Sequence, residues 1–258
     1  MTLMINRPEA FKNPPAAVIF DTDNTLYAYE PAHAAATRAA VGKACKLVGC
    51  AEEAFVAAYT EARREVKQQL GETAASHSRL LYFQRTIEIL GLRTQLLMTL
   101  DIEQTYWRNF LSASVLFPDV RDFIFDLRSI GARTAIITDL TAQIQFRKII
   151  YFGLDDSFDY VVTSEEAGVD KPNKAPFSIA LNKLQVAAKD MWMIGDNPIS
   201  DIQGAAAFGM TTLQKRHEGV DVATGSGAAD GVFDHFSELR QLIAKSNWLL
   251  QDRSQADA

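Results

Sequence analysis

The sequence predicts an α/β protein built on a parallel sheet, with a block of helices inserted after the first strand. Three observations carry this expectation. Five short apolar runs, Ala16–Phe20, Arg133–Thr138, Tyr160–Thr163, Met191–Gly195 and Met210–Leu213, lack the alternation of a half-exposed strand. Runs of that kind suit strands covered on both faces. Segments with helical spacing separate the later runs, as crossover connections between parallel strands require. The interval 28–112 is rich in Ala, Glu, Arg, Gln and Leu and shows no clear strand.

The first run follows Pro14-Pro15 and ends abruptly in acidic and polar residues. Four helices are expected in the following interval, near 30–48, 52–70, 76–90 and 95–111, punctuated by Gly49, Gly71 and Gly91. Residues 119–130 carry apolar side chains at helical spacing and stop at Gly131, a C-cap signal. Residues 142–152 and 175–186 read as helices too, and 199–208 as a helix ending at Gly209. Residues 222–230 read as a Gly/Ser/Ala surface loop, with no strand leading in and no clear helix leading out, and the final QDRSQADA as a frayed tail. Two domains follow: an α/β core from 1–27 and 113–258, and a smaller helical domain, 28–112, expected over the sheet.

At 258 residues the chain is long enough for that arrangement. Lys and Arg number 26 against 32 Asp and Glu, a formal charge of −6, which argues against nucleic-acid binding. An acidic protein that handles an anion needs a local positive pocket or a metal ion. The two cysteines, Cys45 and Cys50, are too few for a disulfide scaffold and have no zinc spacing. They read as small packing residues, and the four scattered histidines as surface or cap residues. No apolar run suits a signal peptide or a membrane helix, so a cytoplasmic protein, monomer or homodimer, is expected.

Chemistry concentrates where strands end. Asp21-Thr22-Asp23-Asn24-Thr25 follows the first run. Ligands of open parallel sheets bind beyond the carboxyl ends of strands. Two carboxylates there repel unless a cation lies between them, and Mg²⁺ is the natural one; capping of a turn is the other reading. Asp196, in Gly195-Asp196-Asn197-Pro198-Ile199-Ser200-Asp201, ends another run and could supply a further carboxylate. Asp201 falls in the first turn of the next helix, where a carboxylate also suits the helix dipole. Thr138 closes a third run and could bind a phosphate oxygen, and Lys171, before Pro172, offers a compact positive charge.

Taken in order, strand–DxDxT, strand–Thr, Lys-Pro and strand–GDxxxxD, these elements resemble the haloacid dehalogenase (HAD) superfamily, in its branch with a helical cap inserted after the first motif. The resemblance spans about residues 16–215. It implies a Rossmann-like three-layer core and a cap that selects the substrate and closes to exclude water. Asp21 would be the nucleophile, forming an aspartyl-phosphate, and Asp23 the general acid and base. Mg²⁺ would lie on Asp21, the backbone carbonyl of Asp23, and Asp196, with Asp201 as a secondary metal-site residue. Thr138, Asp139 and Lys171 would hold the phosphate. Asp139 stands where relatives more often carry Asn. Mg²⁺ at Asp21 and the leaving-group environment at Asp23 would separate the two proton affinities.

An acid at position 23 favours phosphate ester over carbon–halogen chemistry, since a halide leaves without a proton. The implied activity is a Mg²⁺-dependent phosphomonoester hydrolase of a small phosphorylated metabolite. A phosphomutase or phosphotransferase is the alternative, ahead of a 2-haloacid dehalogenase or a non-catalytic binding module. Candidate cap contacts are Arg63, Arg64, Arg79, Arg85, Tyr59, Tyr82 and Phe83.

Overall fold

The computed structural model describes residues 3–246 and Trp248. The tail expected to fray, QDRSQADA, lies outside the described residues. The chain falls into two compact units, Met1–Tyr27 with Leu116–Ala258, and Ala28–Val115.

The first unit is built on strands β1 (Met4–Ile5), β2 (Ala17–Phe20), β3 (Arg133–Thr138), β4 (Tyr160–Thr163), β5 (Met191–Gly195), β6 (Thr211–Lys215) and β7 (Gly231–Phe233). They form one seven-stranded sheet in the order β1-β7-β6-β5-β2-β3-β4. Only β1 runs antiparallel, against β7. The α/β class read from the apolar runs is therefore the class observed.

The absence of alternation has the expected cause, because both faces of the central strands are covered. Ala17 and Ile19 of β2 pack with Phe177, Ala180 and Leu184 of α8 (Lys174–Leu184) in one buried cluster. Phe20 points to the opposite face and meets Phe123 of α5 (Val120–Ser129) edge-on, ring centroids 6.1 Å apart. Phe123 in turn packs on Phe236 of α10 (Phe236–Lys245) at 5.6 Å. Helices α6 (Ala142–Tyr151), α7 (Ser164–Ala167) and α9 (Gly204–Ala206) complete the unit.

Several local readings need correction. A strand, β7, and a helix, α10, follow the 222–230 loop. The expected helix over 199–208 is a wide π-type turn, Pro198–Gln203, running into the three residues of α9. Its start is shaped by Asn197, whose side-chain oxygen accepts from the backbone N–H groups of Ile199 and Ser200, both at 2.9 Å. Strand β6 begins one residue later than the apolar run and ends two residues beyond it.

The second unit consists of α1 (Tyr29–Val48), α2 (Glu52–Leu70), α3 (Arg79–Ile89) and α4 (Leu96–Ala113). Helix α1 buries Ala32, Ala36, Ala40 and Ala44, a four-residue stripe of small side chains. Such a stripe lets a neighbour lie close, and α4 packs along α1 with Ile102, Tyr106 and Phe110 buried. Gly49 ends α1 in the left-handed conformation, φ 75°. Helix α3 starts at Arg79 rather than near 76, because the Ser78 hydroxyl caps it by accepting from the Leu81 N–H at 3.3 Å. His33 is not a surface or cap residue. It is half-buried, stacks on Tyr29 at 5.2 Å, and its Nδ1 lies 2.7 Å from the Tyr106 hydroxyl.

Candidate active site

The order β5-β2-β3 brings three strand ends together, and the strand order reverses there: β3 and β4 add on one side of β2, β5, β6 and β7 on the other. This is the topological switch point where α/β sheets open a crevice. Register decides what meets there. Phe20 of β2 stands beside Ile136 of β3 and Ile194 of β5, so the residues that follow, Asp21, Ile137 and Gly195, share one level. The Asp21 N–H donates to the Ile194 carbonyl at 2.9 Å and so extends the ladder into the loop.

Asp21, Asp196 and Asp201 form one buried cluster, with carboxylate oxygens within 4.8 Å of one another. Lys171 enters it from the loop before α8. Its ammonium donates to Asp21 Oδ1 at 2.6 Å, to Asp201 Oδ1 at 2.7 Å and to the Ile137 carbonyl at 3.2 Å. Those three acceptors use all three ammonium hydrogens. Asp21 Oδ2 accepts from the Thr25 hydroxyl at 3.2 Å, and Asp201 Oδ2 from the Asn197 N–H at 3.0 Å. Gly195 is required by space. A Cβ there would lie 2.4 Å from the Asp201 side chain.

One lysine against three carboxylates leaves the cluster short of positive charge. Burial, reinforced by Asp201, pushes the Asp196 carboxyl up to about 7. Burial, with Asp201 and Asp196, also holds Asp21 well above the ordinary aspartate range despite Lys171. Burial opposes the charge of Lys171, but Asp201, Asp21 and Asp139 outweigh it and keep the ammonium protonated. A small hard cation fits this donor set, since carboxylate oxygens are its preferred ligands and its charge would relieve their repulsion.

Asp23 lies in a different setting. Its two oxygens accept from Lys148 Nζ at 2.9 and 3.2 Å, and Oδ1 also accepts from the Tyr27 and Thr22 hydroxyls. Lys148 is 2 % exposed and sits 5.7 Å from the centre of the Tyr27 ring. Burial opposes ionisation of Asp23, yet Lys148 and the Tyr27 hydrogen bond outweigh it, and the carboxyl falls below its usual range. Without a metal ion the two carboxyls move in opposite directions. Asp21 is the one raised, by burial and the neighbouring Asp201 and Asp196, and Asp23 the one lowered, by Lys148 and Tyr27.

Thr138 ends β3 with its hydroxyl 2.8 Å from that of Thr22. Asp139 does not direct its carboxylate toward this position. Its Oδ1 accepts from the Lys171 N–H at 3.0 Å, so it braces the loop that carries the lysine. Burial raises its carboxyl as well.

Lys148, Tyr27, Thr22 and Thr25 were not singled out from the sequence. Lys148 had a visible signal. It lies on the stripe of α6 that buries Ile144, Gln145 and Ile149, where a lysine needs a partner.

The sequence profile of the haloacid dehalogenase-like hydrolases matches residues 15–209. A ribulose-1,5-bisphosphate 5-phosphatase of Halopiger xanaduensis is 37 % identical over 236 residues, covering 88 % of this chain and 99 % of that protein. A glyceraldehyde 3-phosphate phosphatase of Methanopyrus kandleri is 29 % identical over 204 residues, 78 % of this chain and 83 % of that protein. Among solved structures, a 2-haloacid dehalogenase of Pseudomonas syringae pv. Tomato superimposes with a TM-score of 0.68 at 22 % identity, covering 90 % of this chain and 99 % of that one. The chain belongs to the haloacid dehalogenase-like hydrolases. It is an enzyme of that family, on the fold its sequence motifs imply.

Proposed function

We propose that this hydrolase is a Mg²⁺-dependent phosphomonoesterase of small phosphorylated metabolites that works through an aspartyl-phosphate on Asp21. One observation carries the reading. Two carboxylates of a single loop are bound by different lysines, Asp21 by Lys171 and Asp23 by Lys148. Environments that drive two nearby acids apart in proton affinity divide the labour of acid–base and nucleophilic chemistry. A dehalogenase has no use for a second such acid. The names of the two relatives, phosphatases of ribulose-1,5-bisphosphate and of glyceraldehyde 3-phosphate, support a small phosphorylated sugar as substrate.

In this reading Asp21, Asp196 and the Asp23 carbonyl would hold Mg²⁺, with Asp201 orienting Lys171. The ion would supply positive charge against the phosphate and lower the proton affinity of Asp21. Asp21 forms the new O–P bond as the ester P–O bond breaks. Asp23 gives its proton to the departing oxygen, then takes one from the water that hydrolyses the aspartyl-phosphate. Its contacts to Lys148 and Tyr27 suit the second role, and they must loosen for the first. Lys171 and Thr138 hold the phosphoryl oxygens, and losing one such donor costs about 10²–10³ in rate.

The test is phosphate release from sugar phosphates, nucleoside monophosphates and an aryl phosphate. Wild-type protein with Mg²⁺, with chelator, and the Asp21→Asn variant are compared. Turnover that needs both Mg²⁺ and Asp21 is expected. Retained activity in a folded Asp21→Asn protein overturns the reading, and isomerised product without free phosphate replaces it with a mutase.

A further inference from the structure

The turn that follows Thr138 is held in a conformation that its residues rarely adopt. Leu140 has φ 129°, where the Cβ of a leucine crowds the backbone. It is buried, and its N–H donates to the Ser164 hydroxyl at 2.9 Å. Two residues on, the Ala142 N–H donates to Glu165 Oε2 at 2.8 Å. Ser164 and Glu165 are in reach because β3 and β4 run in register, with Thr138 beside Thr163. A residue kept at such a φ persists only where its surroundings over-determine it, and such residues gather at functional sites.

Gln145 is a second brace on the same turn. It is fully buried in α6, and its amide N–H donates to the Asp139 carbonyl at 3.0 Å. Its other amide atom, Oε1, is shut off from solvent and has no hydrogen-bond partner among the described residues. A buried acceptor without a donor costs stability, and an apolar side chain of the same size would pack there without it. Packing therefore does not account for a glutamine at this position, whereas the bond to Asp139 does. Asp139 links the two groups assigned to the phosphate. It follows Thr138 in the chain, and its carboxylate accepts from the Lys171 N–H at 3.0 Å. The Lys171 ammonium returns to the same strand end, donating to the Ile137 carbonyl at 3.2 Å. All of these residues belong to the core unit.

We infer that Gln145 and Ser164 are positioning residues, which lock the Asp139–Leu140 turn and so aim Thr138 and Lys171 at the reacting phosphate before it arrives. The inference rests on the phosphatase reading and adds to it the source of its preorganisation. Donors fixed in this way need no rearrangement as charge develops on the phosphoryl oxygens.

Gln145→Met and Ser164→Ala test this. Gln145→Met keeps the bulk, removes the unpaired acceptor and deletes the bond to Asp139. Its Tm should stay level or rise, while kcat/KM for phosphate release falls about 10- to 100-fold, the loss that a small misplacement of reacting groups brings. Ser164→Ala should lower kcat/KM in the same range. In both variants the Leu140 N–H should exchange its hydrogen with solvent faster than in the wild type. Calorimetric affinity for inorganic phosphate, measured with Mg²⁺ present, should fall with it. Wild-type kcat/KM in both variants, or a lowered Tm in Gln145→Met with kcat/KM intact below the melting range, overturns the inference and leaves the two residues a purely structural role. Absence of phosphate release from every ester in the wild type would instead strike the phosphatase reading, while Leu140 exchange and phosphate binding still decide the role of the two braces.

Discussion

Lys148 shows how much one side chain decides. It is buried, it contacts both oxygens of Asp23, and it shares that carboxylate with Tyr27. Replacing it with Met keeps the bulk and deletes the charge. The Asp23 carboxyl should then bind its proton more tightly, so the pH profile of kcat should move to higher pH, with kcat lower by about tenfold or more. A profile that stays in place would assign Lys148 to packing alone. Asp21, Asp23, Thr138, Lys171, Asp196 and Asp201 were legible in the sequence because each lies at a strand end or in a short motif. Lys148 was not, because its partner is 125 positions away along the chain. Asp139 was legible as a residue but not as a contact. Only the folded loop shows that its carboxylate serves the Lys171 backbone.

At the scale of elements, the junction of β5 with the π-type turn sets the site. Gly195 ends the strand, and Asp201 folds back over it closely enough that a Cβ at 195 would lie 2.4 Å from the Asp201 side chain. Asp201 is 1 % exposed and is held by Lys171 and the Asn197 N–H, so it cannot yield cheaply. Gly195→Ala should cost about 1–3 kcal/mol, the range for overpacking a filled core. It should also displace Lys171 and lower phosphate release. Thermal unfolding beside a kcat measurement checks both, and an unchanged Tm would mean that the turn is softer than its contacts indicate. The five apolar runs were legible as strands because burial on two faces leaves no place for polar residues. The two residues of β1 and three of β7 were not, since periodicity has no meaning over so short a span. Helix α10 carries Phe236, Leu239 and Ile243 at helical spacing on its buried face, a signal present in the sequence and passed over.

At the scale of the molecule, the acidic cluster couples stability to pH and metal. The Asp196 carboxyl is raised in the folded protein to about 7, from an ordinary value of 3.8. A folded state that holds the proton more tightly is stabilised at low pH and loses that stabilisation as pH rises through the folded value. Metal-free protein should therefore lose stability between about pH 4 and 7 through this group. Saturating Mg²⁺ should raise Tm more at pH 8 than at pH 6, because the deprotonated cluster is the better ligand. Thermal scans at the two pH values, with Mg²⁺ and with chelator, read this out. A Mg²⁺ increment that is larger at pH 6 would remove Asp196 from the metal site. No described helix is long and apolar enough to cross a membrane.

Local patterns carried the α/β class, the helical insertion and the order of the four motifs, since each is written in neighbouring residues. Tertiary structure alone decided which charges meet. Lys171 is shared between Asp21 and Asp201, Lys148 is given to Asp23, Asp139 is turned to a backbone N–H, and Arg79 is left among tyrosines. The reason is physical. Secondary structure follows from interactions within a few residues, whereas the proton affinity of a buried group follows from whichever charges the fold brings within a few ångströms.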